Sequence, residues 1–184
     1  PGVGMVEPHL EPELIQPVPQ TKAAAVDSGM AGLNPSLEVI GATRVWNELG
    51  IDGTGSLVAI IDTGVDVTHP ALGPRWRGNH APWQECWLDV LGGGTQFPAD
   101  LNGHGTHTMG TMVGLDGDNI IGVAPGAQWV GVRNMERGWG KPSTYIEGFE
   151  WFLAPTDLNG ENPDPAKSPH VINNSWSCPE IEGC

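Results

Sequence analysis

Apolar residues in this chain gather in blocks rather than alternating one by one. The clearest block is Leu57-Val58-Ala59-Ile60-Ile61, closed by Asp62, Thr63 and Gly64. An unbroken apolar run of that length predicts a strand covered on both faces, as in a parallel sheet. Thr63 and Gly64 then turn the chain and leave Asp62 at the carboxyl end of the strand. Ligands of open α/β sheets bind along that edge, although Asp and Gly also follow strands simply as turn formers.

The remaining elements follow in order. Pro1, Pro8, Pro12, Pro17, Pro19 and Pro35 leave only short apolar pieces in residues 1–36. That segment reads as an extended arm or linker, able to lie along a surface or add an edge strand, while 37–184 form the body. A helix is predicted over 43–49, with Thr43 as N-cap, Val45, Trp46 and Leu49 on one face, and Gly50 as its stop. Residues 69–100 dissolve into Pro, Gly and Trp and are predicted as a long loop whose tryptophans pack it onto the body. A second helix is predicted to start at His104, with His107 one turn on and pointing the same way. Four glycines in 102–114 each cost that helix about 1 kcal/mol relative to Ala, which predicts close backbone approach. Residues 127–133 read as a second buried strand, and 133–142 as a loop containing Gly138, Trp139 and Gly140. A third helix is predicted from Thr144, with Thr144 and Glu147 as a capping box, through Ile146, Phe149, Trp151 and Phe152 to a stop before Pro155. A third strand is predicted over 171–177.

Strand and helix in alternation predict an α/β fold, a parallel sheet with helices on both faces and right-handed crossovers. Such a sheet gathers Asp62, the start of the His104 helix and Ser175 along one edge.

Composition narrows the partners. The chain has 184 residues, 39% of them hydrophobic and 16% charged, which suits one globular domain or most of one. With 22 acidic against 8 basic residues its formal charge is -14, arguing against nucleic acid or an anionic membrane as partner. No stretch has the length of a transmembrane helix, and a basic start followed by an apolar block is lacking, so any export signal has been removed or lies outside. Of the three cysteines, Cys178 and Cys184 bracket a short loop that a disulfide could close in an oxidising compartment, with Cys86 free or paired elsewhere; buried free thiols are the alternative. A five-residue spacer disfavours zinc.

An Asp that accepts a hydrogen bond from one imidazole nitrogen fixes the ring's tautomer, so that the other nitrogen can take a proton from a nucleophile. Two rival chemistries share these residues. Asp-Thr-Gly is also the signature of aspartic proteases, but those need a second copy within an all-β fold, and Val65 replaces the usual small or hydroxyl residue. A metal site from Asp62, His104 and His107 lacks a flanking acid at metalloprotease spacing.

From about residue 39 to the end, the chain resembles the subtilisin-like serine proteases, the subtilases. Three separated motifs carry the resemblance in order: Ile60-Ile61-Asp62-Thr63-Gly64-Val65-Asp66, then Asn102-Gly103-His104-Gly105-Thr106-His107-Thr108, then Val171-Ile172-Asn173-Asn174-Ser175-Trp176-Ser177. Gly-Val-Ala-Pro at 122–125 also matches, and the Trp-rich loop is similar to that of the bacillopeptidase F branch. The resemblance implies that Asp62 is the triad aspartate, His104 the general base and His107 a structural helix residue. It further implies that Ser175, Trp176 and Ser177 contact substrate along one strand, and Gly138, Trp139 and Gly140 along the opposite one. Ser175 is implied as a substrate contact, not the nucleophile, and Ser177 stands where the family usually has Gly. Residues 1 to about 20 resemble the tail of a propeptide that blocks the cleft.

The family's oxyanion-hole Asn and Gly-Thr-Ser nucleophile motif fall after Cys184, and no Gly-Thr-Ser occurs here. The resemblance therefore implies the amino-terminal part of a secreted serine endopeptidase, inactive by itself, whose partners are a peptide or protein substrate and the remainder of the catalytic domain. No cofactor is required. The family's calcium loop is shortened and altered at 115–121, so calcium has no assigned site despite Asp116 and Asp118. The competing expectation is a non-catalytic peptide-binding or regulatory module derived from a protease.

Overall fold

The computed structural model describes residues 13–14, 32–93, 95–157 and 159–177. The elements run β1 (Glu13–Leu14), α1 (Pro35–Val39), α2 (Ala42–Leu49), β2 (Leu57–Asp62), β3 (Trp87–Asp89), α3 (His104–Val113), β4 (Leu115–Asp116), β5 (Asn119–Ile120), β6 (Gln128–Arg133), α4 (Pro142–Leu153), β7 (Val171–Asn173) and β8 (Trp176–Ser177). The central sheet has the order β3-β6-β2-β7, and every pairing in it is parallel. All six residues of β2 are buried, as the apolar run predicts. β2 lies between β6 and β7, with Asp62 opposite Arg133 and Ile60 opposite Asn173.

Successive side chains of a strand point to opposite faces, and this places the two large helices on opposite sides of the sheet. Ile61 and Val132 face α4, where Gly148 has no room for a Cβ because Ile61 Cδ1 would stand 2.5 Å from it. Asp62, one residue on, faces the start of α3. The core joins Ile60, Ile61, Trp87, Met109, Val113, Trp129, Val132 and Phe152 in one cluster.

Several elements differ from the sequence reading. The long loop is not structureless: it contains three single 3-10 turns, Gly73–Arg75, Arg77–Asn79 and Trp83–Glu85, and the edge strand β3. Its tryptophans do pack inward, Trp76 and Trp87 being buried. Helix α2 is capped by Gly41 in the left-handed region, with φ 76°, not by Thr43. Val45 and Leu49 on that helix are exposed, and Trp46 instead donates its indole N–H to Val123 O at 3.0 Å. Helix α4 begins at Pro142, because a proline suits a first turn that needs no amide donor. Thr144 is then its third residue, accepting from Lys141 N at 3.2 Å. The strand read over 171–177 is two: β7 ends at Asn173, and β8 leaves the sheet to pair antiparallel with β1, Leu14 opposite Trp176 and Glu13 opposite Ser177.

Of the four glycines expected to allow close approach, Gly105 and Gly114 do so, whereas a Cβ on Gly103 or Gly110 would meet nothing within 4 Å. Cys86 is buried and free, and burial pushes its thiol up to about 11. The pairing expected for Cys178 and Cys184 lies outside the described residues. Among the described residues no helix is long and apolar enough to cross a membrane.

Candidate active site

The carboxyl end of β2 delivers Asp62 into the interior at 0% exposure, where the first residue of α3 meets it. His104 Nδ1 lies 2.8 Å from Asp62 Oδ1 and 3.0 Å from Oδ2, and His104 is 8% exposed. A carboxylate that close makes Nδ1 the protonated nitrogen, which assigns the basic lone pair to Nε2. Asp62 Oδ1 also accepts from Thr63 N at 2.7 Å. Burial pushes the Asp62 carboxyl up, against the opposing effect of the hydrogen bonds from Thr63 and His104.

A second carboxylate holds the pair in register. Asp100 accepts from the amides of Asn102, Gly103 and Thr106 at 3.0, 2.9 and 2.9 Å, from the Thr106 hydroxyl at 2.7 Å and from the Thr63 hydroxyl at 2.9 Å. Thr63 Oγ1 in turn accepts from Gly105 N at 3.0 Å, and Thr106 Oγ1 accepts from Asp66 N at 2.9 Å. Burial alone would raise Asp100, but the bonds from the Thr106 side chain and the Gly103, Thr106 and Asn102 amides outweigh it and leave its pKa lowered. Asp100 thus serves as acceptor for the otherwise unbonded amides at the start of α3 and ties that turn to the residue after Asp62. Asp followed two residues on by Asn-Gly, just before a helix, is the sequence signal that reveals such a residue.

The other predicted residues separate into those that gather here and those that do not. His107 does not share the direction of His104: it is exposed and lines a cavity of about 580 Å³, with His69, Leu37 and Gly110, to which neither Asp62 nor His104 contributes. Ser175 is half-buried, and its oxygen accepts from Asn173 Nδ2 at 2.9 Å. The Trp176 and Tyr145 rings meet at a tilt of 45° with centroids 4.2 Å apart, and Ser177 is exposed. Gly138 takes φ 89° in the tight turn closed by the bridge between Glu136 and Trp139. Trp139 is 46% exposed, and Gly140 is buried against the Tyr145 ring. Asp116 and Asp118 are exposed on the β4–β5 hairpin. Among the described residues no group of three or more His, Cys, Asp or Glu is placed to hold a metal ion.

Comparison with known proteins gives this geometry a family. The model of the subtilase family matches residues 53–182. The chain is 41% identical to Bacillopeptidase F of Bacillus subtilis (strain 168), covering 96% of this chain and 13% of that protein. It is 36% identical to Fervidolysin of Fervidobacterium pennivorans, covering 69% of this chain and 20% of the relative. The chain therefore spans at most a fifth of the length of these two relatives. Among solved structures, the Clostridium perfringens CspB protease superposes with a TM-score of 0.52 at 23% identity, over 64% of this chain and 29% of that one. The crystal structure of fervidolysin gives the same TM-score, 0.52, at 23% identity over 90% of this chain and 25% of that one, and both likenesses concern the fold alone. Motif order, parallel sheet and family match agree: the chain belongs to the subtilase family.

Proposed function

We propose that this chain is the amino-terminal part of the catalytic domain of a secreted serine endopeptidase of the subtilisin type. The observation that carries the reading is the buried contact between His104 Nδ1 and Asp62. In this reading His104 Nε2 removes the proton of a serine hydroxyl as it attacks a peptide carbonyl, then returns it to the leaving amine, while Asp62 stabilises the imidazolium between the two steps. The attacking serine is supplied by sequence outside these 184 residues. Neither metal nor other cofactor takes part in the step.

Substrate lies extended between β8 and the segment Gly138 to Gly140, so Ser175, Trp176 and Ser177 pair with its backbone from one side and Trp139 flanks it from the other. Supporting this, β8 already accepts an extended antiparallel neighbour, β1. Residues 1–36 then act as the tail of a propeptide, with β1 occupying the strand position that substrate takes later.

A fluorophosphonate probe tests the reading. The complete polypeptide should be labelled at one serine outside these residues, and the 184-residue chain should take no label. Labelling of Ser175 or any other serine of this chain would overturn the assignment.

A further inference from the structure

The turn that carries the segment Gly138 to Gly140 holds two consecutive residues in left-handed backbone, Arg137 at φ 52° and Gly138 at φ 89°. Glu136 and Trp139 close it, Glu136 N donating to Trp139 O at 2.8 Å and Trp139 N to Glu136 O at 2.9 Å. A residue such as Arg137 is rare in that conformation and persists only where its surroundings fix the backbone. Glu136, Arg137 and Trp139 are all exposed, so burial supplies little of that constraint.

A chain of charges supplies it instead. Arg133, the last residue of β6, donates from Nη2 to Glu136 Oε2 at 2.6 Å and from Nη1 to Asp89 Oδ2 at 3.0 Å. The Arg133 and Asp89 side chains are 7% and 5% exposed, against 56% for Glu136. Asp89, on β3, is held in turn: its Oδ1 accepts from Leu91 N at 3.1 Å and its Oδ2 from the Thr95 hydroxyl at 3.2 Å. Gly93 closes over the pair, since a Cβ there would stand 2.8 Å from both Arg133 Nη1 and Asp89 Oδ2. Arg133 Nε is buried with no partner among the described residues, so the two carboxylates orient the guanidinium. The strand register sets Arg133 between Asp89 and Asp62 on one rung of the sheet. The strut therefore starts on the Trp-rich loop, passes beside the strand of the catalytic aspartate and ends on the turn.

We propose that Arg133 is a positioning residue that fixes the turn from Glu136 to Trp139, and with it the segment Gly138 to Gly140, at the height an extended substrate requires. The inference rests on the protease reading above and adds to it the group that holds one wall of the substrate groove. A planar guanidinium suits the task because its nitrogens engage two carboxylates from different elements at fixed angles, which a lysine ammonium does not do. Removing either carboxylate leaves a buried cation half-paired, so loss of Asp89 is felt at Glu136. Asp89 touches no substrate in this reading, and its influence on binding runs through Arg133.

The experiment uses the complete polypeptide, an extended peptide substrate and a fluorophosphonate probe, which reads the serine and the dyad without filling the groove. Glu136→Ala and Asp89→Ala should each raise KM for the peptide about fivefold or more, with kcat and the rate of probe labelling within about twofold of the parent. The double variant should lie within about twofold of the more affected single one, because both changes release the same guanidinium. A purely structural ion pair would lower the denaturation midpoint and leave KM alone. An unchanged KM in either folded variant, or multiplying effects in the double one, overturns the positioning role and leaves the protease reading intact. Glu136 is exposed, so Glu136→Ala keeps the fold even where Asp89→Ala does not, and its KM then decides alone. Failure of the complete polypeptide to cleave any peptide or to take the serine probe is the separate result that overturns the protease reading and the positioning role with it.

Discussion

The α-carbon of Gly105 is pressed so closely against Gly64 that a Cβ on it would stand 2.0 Å from the Gly64 carbonyl oxygen and 3.2 Å from Asp62 Cβ. The first turn of α3 and the turn after β2 therefore touch backbone to backbone, and that contact sets the distance between Asp62 and His104. In an open helix, Gly→Ala gains about 1 kcal/mol. Here overpacking reverses the sign: Gly105→Ala should destabilise the fold by about 1–3 kcal/mol in urea denaturation. A neutral or stabilising result would show that the contact is loose.

Asp100 offers a test by pH. Its pKa is lowered in the folded state, so its contribution is complete above the unfolded value of about 3.9 and is lost as pH falls through the folded value. The stability difference between the parent and Asp100→Asn should be constant from about pH 5 to 7 and shrink below about pH 4. Removing the acceptor altogether with Asp100→Ala should cost about 2–4 kcal/mol at neutral pH, since five donors lose it. Denaturation midpoints across that pH range decide the matter, and a difference that grows towards acid would contradict the account.

Cys86 should be unreactive. Its thiol is buried at 0% exposure, donates to Pro82 O at 3.4 Å, and has a pKa raised to about 11. Iodoacetamide at pH 8 should leave it unmodified in the native protein and label it only in denaturant, as read by peptide mass mapping. Rapid native labelling at this residue would show that the Trp-rich loop opens.

Asp62→Asn in the complete polypeptide tests the role of the dyad. The amide keeps the shape but stops accepting from Nδ1 and so favours the wrong imidazole tautomer, which costs about four orders of magnitude in kcat in the chymotrypsin-type triad. A comparable fall in kcat, with KM little changed, is expected here. Loss of less than tenfold would remove Asp62 from the catalytic account.

The parts of the fold that read clearly from the sequence were those in which one physical cause dominates. Burial on both faces writes an unbroken apolar run, and β2 and β6 appear where those runs are. Asp62 and His104 end or begin elements marked by a run and by a glycine, so their meeting at one sheet edge followed from topology. The strand β3 was hidden because it is three residues long, lies amid Pro and Gly, and owes its pairing with β6 to a partner far along the chain. The break between β7 and β8 was hidden for the reverse reason: the residues favour strand throughout, and departure from the sheet is decided by pairing with the arm. His107 misled because three residues on a helix is a turn of about 300°, not a full circle. Asp100 carried a readable turn signature, but its importance lies in five donors that only three-dimensional placement brings together.

Every pairing in the central sheet joins strands far apart in the chain. Even the least distant rungs, those joining Trp87 to Gly131 and its register mates, must close a loop of about forty residues before the first pairing rewards the chain. A topology of this kind assembles slowly, and its apolar strands stay uncovered meanwhile. Refolding from denaturant should therefore compete with aggregation, with yield falling as concentration rises even where the native state is comfortably stable.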